Sequence, residues 1–144
     1  MLIGEYTHTI DAKKRVSLPT KFRGVMGKKM VMTKGVDHCV YVYTVTEWKK
    51  LSDKLSQLSM GATDQRKFKR LMMTGATEIS VDSIGRVLIP DFLKVYGCLK
   101  TKVVFTGVGD HIEVWDEKAW KVYREKIENQ ADILSERLGE IGVI

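Results

Sequence analysis

Two short stretches hold the residues best able to do chemistry. Residues 10 to 19 read Ile-Asp-Ala-Lys-Lys-Arg-Val-Ser-Leu-Pro, and residues 81 to 90 read Val-Asp-Ser-Ile-Gly-Arg-Val-Leu-Ile-Pro. Each has an aspartate in second place (Asp11, Asp82) and an arginine four residues later (Arg15, Arg86). An aspartate opening a tight loop accepts bonds from backbone N–H groups two or three residues on and holds the loop shut. Gly85 stands where such a loop commonly needs positive φ. The first copy has Lys14 there, and Lys13 in place of Ile84. If the turns share a geometry, Lys14 accepts a left-handed backbone costing roughly 1 to 2 kcal/mol, and Lys13, Lys14 and Arg15 stand at a hairpin tip. The plainer reading is a turn ion pair between Asp and Arg, worth about 0 to 1 kcal/mol when exposed.

The elements that must position these turns come in duplicate. The motifs are offset by 71 residues and contain the chain's only two prolines, Pro19 and Pro90. The match resumes at an offset of 72: Val31 with Val103, Gly35 with Gly107, Val42 with Val114, Tyr43 with Trp115, Trp48 with Trp120. One unit is therefore written twice. The pattern predicts a strand over residues 1 to 10, a return strand over 16 to 18, and a short helix from Pro19 to about Arg23, with Lys21 and Arg23 beside the tip. It then predicts a glycine hairpin from 30–33 to 40–43, and an amphipathic helix capped at Thr44 and carrying Trp48, Leu51, Leu55 and Leu58. Asp64 is expected to cap a short helix running to about Met73. The second copy should end in a longer stripe of Trp120, Tyr123, Ile127, Ala131, Leu134 and Leu138. The expected division is repeat one over 1–50, linker helices over 51–74, repeat two over 75–122, and a C-terminal helix and tail over 123–144.

The net charge of +6 is unevenly spread. Residues 1 to 72 contain fifteen Lys and Arg against six Asp and Glu, a net of +9, whereas residues 73 to 144 carry a net of −3. A basic half with a Lys-Lys-Arg tip is the electrostatic footprint of a nucleic-acid reader. No apolar run of 18 residues and no leader-like N-terminus occur, so a cytoplasmic protein is expected. Cys39 and Cys98 occupy unrelated positions, which suggests free thiols and no disulfide framework.

Other reactive residue types have simpler explanations. His8 is the counterpart of Ile79, which marks a packed position. His38 and His111 sit beside aspartates and glycine in hairpin loops, where turn chemistry accounts for them better than metal ligation. No phosphate loop, nucleophile elbow or ligand cluster supports an enzyme, so no catalytic residue or cofactor is expected. Arg66, Lys67 and Arg70 form either a phosphate-facing or a solvated helix face.

The double Asp-x-x-x-Arg-Val-x-[Leu/Ile]-Pro frame, the duplication and the hairpin-Trp ending of each copy resemble the MraZ family of bacterial transcription regulators, built from tandem SpoVT-AbrB domains. The resemblance covers about residues 1 to 140. It implies an α+β fold, mainly β with helices, in which two repeats make a swapped-hairpin, double-split β-barrel. It also implies ring-shaped homo-oligomers, nucleoid association, and binding of double-stranded DNA at short direct repeats upstream of the division and cell-wall gene cluster. The family's DNA-binding element maps onto Asp11 and Arg15 and, more weakly, onto Asp82 and Arg86. An arginine on a two-stranded ribbon in the major groove can bond guanine O6 and N7 together. Arg15 is then the candidate base reader, with Lys13, Lys14, Lys21 and Arg23 holding phosphates and Asp11 supporting the turn. No small-molecule ligand or membrane contact is implied. The alternative is a barrel-type scaffold or antitoxin-like module that binds another protein.

Overall fold

The structure, a computed structural model, describes residues 1–144. Repeat one runs β1 (Leu2–Thr9), β2 (Arg15–Ser17), α1 (Thr20–Met26), β3 (Lys29–Lys34), β4 (Val40–Thr44), α2 (Val45–Ser56), α3 (Thr63–Thr74). Repeat two follows the same plan: β5 (Thr77–Ser80), β6 (Arg86–Leu88), α4 (Asp91–Tyr96), β7 (Lys102–Gly109), β8 (Ile112–Asp116), α5 (Glu117–Asn129), α6 (Ala131–Glu140). The fold is mixed α+β. No helix is long and apolar enough to cross a membrane.

The two repeats are interleaved. Six antiparallel strands form one sheet in the order β1-β7-β8-β4-β3-β5, and β2 pairs with β6 in a separate ribbon. Exchanging every strand for its counterpart in the other repeat returns the same order, so the sheet has a pseudo-two-fold at the β4–β8 pair. The first strand of each repeat pairs with the third strand of the other: β1 with β7 from Leu2↔Gly109 to Thr9↔Lys102, and β5 with β3 from Lys29↔Ser80 to Met32↔Thr77.

Strand periodicity explains where the core sits. Val40 and Val42 alternate with Tyr41 and Tyr43, and Ile112 and Val114 alternate with Glu113 and Trp115. The aliphatic set faces inward, joined by Val16, Leu18 and Phe22 from repeat one and Val87, Ile89 and Leu93 from repeat two. Full burial of each such side chain is worth roughly 1.5 to 3 kcal/mol. Both repeats contribute, so neither could close this core alone.

Helices cover the other face. Leu55 of α2 and Met72 of α3 are buried over β3, where Thr33 Oγ1 donates to Met72 O at 2.8 Å. Trp120 Nε1 donates to Glu5 at 2.9 Å, and Arg124 pairs with the same carboxylate, which anchors α5 to β1. Thr44 caps α2 as expected, its Oγ1 accepting from Glu47 N at 3.0 Å, but the Glu47 carboxylate pairs with Lys50 and leaves the capping box half built.

Three expectations differ from what forms. Pro19 and Pro90 cap their helices from outside, and α1 continues to Met26 because Phe22 and Met26 bury one face together. Ala62, without a side-chain bond, precedes α3, so Asp64 lies inside the first turn, where its charge favours the helix dipole. The long C-terminal stripe splits at Gln130 into α5 and α6, and α6 buries none of its residues. Its apolar positions therefore add nothing to the core.

The histidines follow turn and packing chemistry. Half-buried His8 meets Phe105 edge-on, while Asp37 and His38 both take left-handed φ, 66° and 62°, in the β3–β4 loop. His111 lies between Tyr41 and Tyr43, ring centroids 4.5 and 4.8 Å away, with Nδ1 2.7 Å from Asp110 and Nε2 3.7 Å from Glu113. Burial opposes charge on this ring, but the Glu113 and Asp110 carboxylates outweigh it and raise its pKa above 6.5. Such a group contributes stability in full below its unfolded pKa and loses it as pH rises through the folded value. The melting temperature should accordingly fall as pH rises above about 6.5, and fall less in His111→Gln. A calorimetric pH series with equal declines in both proteins would remove His111 as the cause.

Candidate nucleic-acid interface

Both motif turns close by one set of bonds. Asp11 N donates to Arg15 O at 2.8 Å and Lys14 N to Asp11 O at 3.0 Å. The Asp11 Oδ1 atom accepts from the N–H groups of Lys13 and Arg15 at 2.8 and 3.0 Å, and Oδ2 accepts from Arg15 Nε at 2.9 Å. Asp82 repeats the pattern with Ile84 N, Arg86 N and Arg86 Nε at 3.1, 2.8 and 2.8 Å. The Arg15 N–H, more than any other group, holds the Asp11 carboxyl below the usual 3.8, and the Arg86 N–H does so for Asp82. The turn-locking aspartate and the turn ion pair are thus one arrangement.

The backbone strain inferred from the sequence is present. Lys14 has φ 64° where Gly85 has φ 86°. The conformation persists because it is tied across repeats: Ile89 N donates to Lys14 O at 3.0 Å, as Leu18 N donates to Gly85 O at 2.9 Å. Each left-handed residue thus turns its carbonyl toward the return strand of the other copy.

The β2–β6 ribbon decides which way the arginines face. Val16 and Val87 pair in register, both buried, so the flanking residues project outward. Arg15 sits opposite Leu88 and Ser17 opposite Arg86. Arg15, Ser17, Arg86 and Leu88 therefore share one face, and ladder geometry places diagonal neighbours such as the two arginines about 7 to 8 Å apart. Leu88 is exposed, and both guanidinium groups keep their terminal nitrogens free of Asp11 and Asp82, which bond Nε. The structure brings Arg86 alongside Arg15.

The other cations differ in freedom. Lys13 is exposed at the tip and Lys21 on the first turn of α1. Lys14 Nζ forms an ion pair with Asp91 of the other repeat. Arg23 is half-buried; its Nε donates to Leu18 O at 2.8 Å and its guanidinium covers Gly85. A Cβ at residue 85 would collide with that guanidinium. Glycine at residue 85 suits both its positive φ and the present position of the Arg23 guanidinium, which a side chain there would displace. Sequence reading missed both the Arg23–Gly85 and the Lys14–Asp91 contacts, because they join non-equivalent repeat positions and become visible only with the β2–β6 pairing.

Arg66 is similarly engaged, donating to Met60 O at 2.7 Å from the first turns of α3. Cys39 is buried, and burial pushes its thiol pKa up, away from reactivity.

These features define a class: a duplicated α+β protein in which two interlocked repeats hold a pair of Asp–Arg turns on one ribbon. The profile of the family described as "MraZ protein, putative antitoxin-like" matches residues 1–71 and again 72–139. The chain belongs to the MraZ family. It is 40% identical to the transcriptional regulator MraZ of Thermoanaerobacter pseudethanolicus, across 99% of this chain and 100% of that protein. The transcriptional regulators MraZ of Caldanaerobacter subterraneus subsp. tengcongensis and Clostridium tetani are 39% and 40% identical, each over 99% of this chain and their own full length.

Replacing Lys14 by glycine should relieve the left-handed strain and raise unfolding free energy by about 1 kcal/mol, less whatever its exposed pair with Asp91 contributes. Urea denaturation measures this; a lower midpoint at unchanged slope would mean that residue 14 carries no strain.

Proposed function

We propose that this chain is a transcription regulator that reads duplex DNA with the outward face of its β2–β6 ribbon. One observation carries the reading: the ladder places both motif arginines on a single outward face, half-buried against their aspartates, with exposed Lys13 at the adjoining tip. A two-stranded ribbon fits the major groove, where an arginine can bond guanine bidentately and an apolar side chain such as Leu88 can meet a thymine methyl group. Asp11 and Asp82 fix each guanidinium through Nε, so little conformational entropy remains to be lost on binding. Arg15 and Arg86 read bases; Lys13, Lys14, Lys21 and the remaining donors of Arg23 set register on phosphates.

The face is small, so one copy binds weakly. Several copies in a ring, engaging direct repeats about one helical turn apart, would gain affinity through multivalency. Membership of the MraZ family supports extending the reading to operator repeats ahead of the division and cell-wall genes, its own gene included, and to action at the nucleoid in the cytoplasm. Within the two halves of the chain the narrower division, a repeat unit over 1–50 and another over 75–122 with linker helices over 51–74 and a C-terminal helix and tail over 123–144, belongs to this reading, the first unit being the more basic, DNA-facing one.

A second reading has a specific observation in its favour. Ile84 and Leu88 are exposed, 62% and 53%, beside the arginines. Such a mixed apolar and cationic face also suits an acidic protein partner, as an antitoxin-like module would need. Fluorescence anisotropy against the chain's own upstream DNA separates the two, because phosphate-driven binding falls steeply as salt rises.

In that assay Arg15→Ala should lose preference for the operator over scrambled DNA, by roughly 1 to 3 kcal/mol per bidentate contact. Full retention of preference would end the base-reading role. Asp91→Asn should release Lys14 and strengthen binding to any duplex without improving discrimination; unchanged affinity at low salt would show that the ion pair does not restrain Lys14.

A further inference from the structure

The β2–β6 ribbon has a symmetry of its own. Its ladder is centred on the Val16–Val87 pair, and these valines are counterparts in the two repeats, so a local pseudo-two-fold passes between them. That axis exchanges Arg15 with Arg86 and Ser17 with Leu88. A reader symmetric about the axis would fit a duplex equally well either way round, because a two-fold protein surface matches a palindromic site. The outward face of the ladder departs from that symmetry at one position. Leu88 lies directly across from Arg15, where facing Cβ atoms stand about 4.5 to 5.5 Å apart, and Ser17 lies directly across from Arg86. One arginine therefore has an isobutyl group beside it, 53% exposed, and the other a small hydroxyl. The flanking turns add to the difference between the two ends, with Lys13 and Lys14 next to Arg15 but uncharged Ile84 and Gly85 next to Arg86.

We infer that Leu88 and Ser17 are specificity-determining residues that give the ribbon a direction on DNA, so that each copy reads a box without two-fold symmetry. The inference rests on the base-reading function proposed above and adds which neighbouring base each arginine requires. In the major groove an apolar side chain discriminates by contact with the C5 methyl group of thymine, whereas a serine hydroxyl can bond several base edges. The guanine read by Arg15 is thus flanked by a thymine packed on Leu88, and the guanine read by Arg86 carries no such requirement at Ser17. Turned end for end, the chain would set Ser17 against the thymine methyl and Leu88 against the polar edge of another base. That arrangement loses the apolar contact and leaves a desolvated polar group without a partner. Only one orientation keeps both matches.

Selection of the full chain on randomised duplexes, followed by fluorescence anisotropy on the selected sequence, tests this. The wild-type box is expected to carry a guanine on each side of its centre and a thymine beside only one of them. Replacing that thymine by deoxyuridine removes the methyl group alone and should weaken binding about fourfold for each box altered, the effect of one buried methylene-sized group. Leu88→Ser should bind the thymine and deoxyuridine boxes equally and select no thymine. Ser17→Leu should gain a second thymine at the position related by the two-fold, so that its selected box becomes symmetric; a purely structural role for residue 17 would produce no such gain. Indifference of the wild-type chain to the methyl group overturns the inference. So does a methyl effect that persists in Leu88→Ser, or a Ser17→Leu protein that selects the wild-type box unchanged. Should Ser17→Leu not fold, the deoxyuridine comparison between wild type and Leu88→Ser decides alone. A chain that selects no sequence at all overturns the base-reading function together with this inference. A guanine preference that depends on Arg15 but comes with no methyl effect leaves that function standing and removes only the direction.

Discussion

A short ladder between β2 and β6, extended at each end by a bond into the opposite turn, is the constraint on which the rest depends. Ile89 N reaches Lys14 O and Leu18 N reaches Gly85 O, so each repeat closes the other's hairpin. The same ladder buries Val16 against Val87 in the core and turns the arginines outward. Loss of this register by one residue would exchange the faces, sending valine to solvent and guanidinium into an apolar interior. Folding and site construction are thus a single event: the core cannot form without presenting Arg15 and Arg86 together.

Duplication alone would give two equal turns, and the differences between them are mutually dependent. Arg23 covers the second turn, and a side chain at residue 85 would have to displace its guanidinium. At the first turn a lysine at residue 14 is accommodated, its ammonium paired with Asp91. The counterpart of Asp91 in repeat one is Thr20, so no equivalent ion pair arises on the other side. The two turns therefore differ through specific cross-repeat contacts as well as through their own residues.

Much of the fold was legible because the relevant signals are local. Asp11 and Asp82, with glycine at one of two equivalent turn positions, disclosed the turn geometry and the left-handed lysine. Runs of β-forming residues at 40–43 and 112–115, each following a glycine-containing loop, disclosed the central strands. The helix ends were less legible: Ala62 offers no capping side chain, and the break at Gln130 has neither glycine nor proline to mark it. Which strand pairs with which could not be read locally, since β1 and β5 match either repeat's hairpin by pattern. For that reason the motif arginines were visible as residue types, while their shared face was not. Nothing local to Arg23 signals that its Nε is committed to Leu18 O.

A left-handed lysine is a poor choice for stability and a sound one for a surface that must carry charge at a turn. Glycine at residue 14 would satisfy the backbone, as it does at residue 85, but would remove a cation from the basic half. The strain is tolerable because the Asp11 carboxylate holds both N–H groups on either side of Lys14, those of Lys13 and Arg15, while Ile89 holds its carbonyl. Three fixed neighbours make the alternative conformations of the turn cost more than the left-handed one, since each would leave an Asp11 or Ile89 partner unmatched. The lysine thus depends on the aspartate of its own motif and on the other repeat at once. A single repeat, lacking Ile89, would keep only the first of these supports.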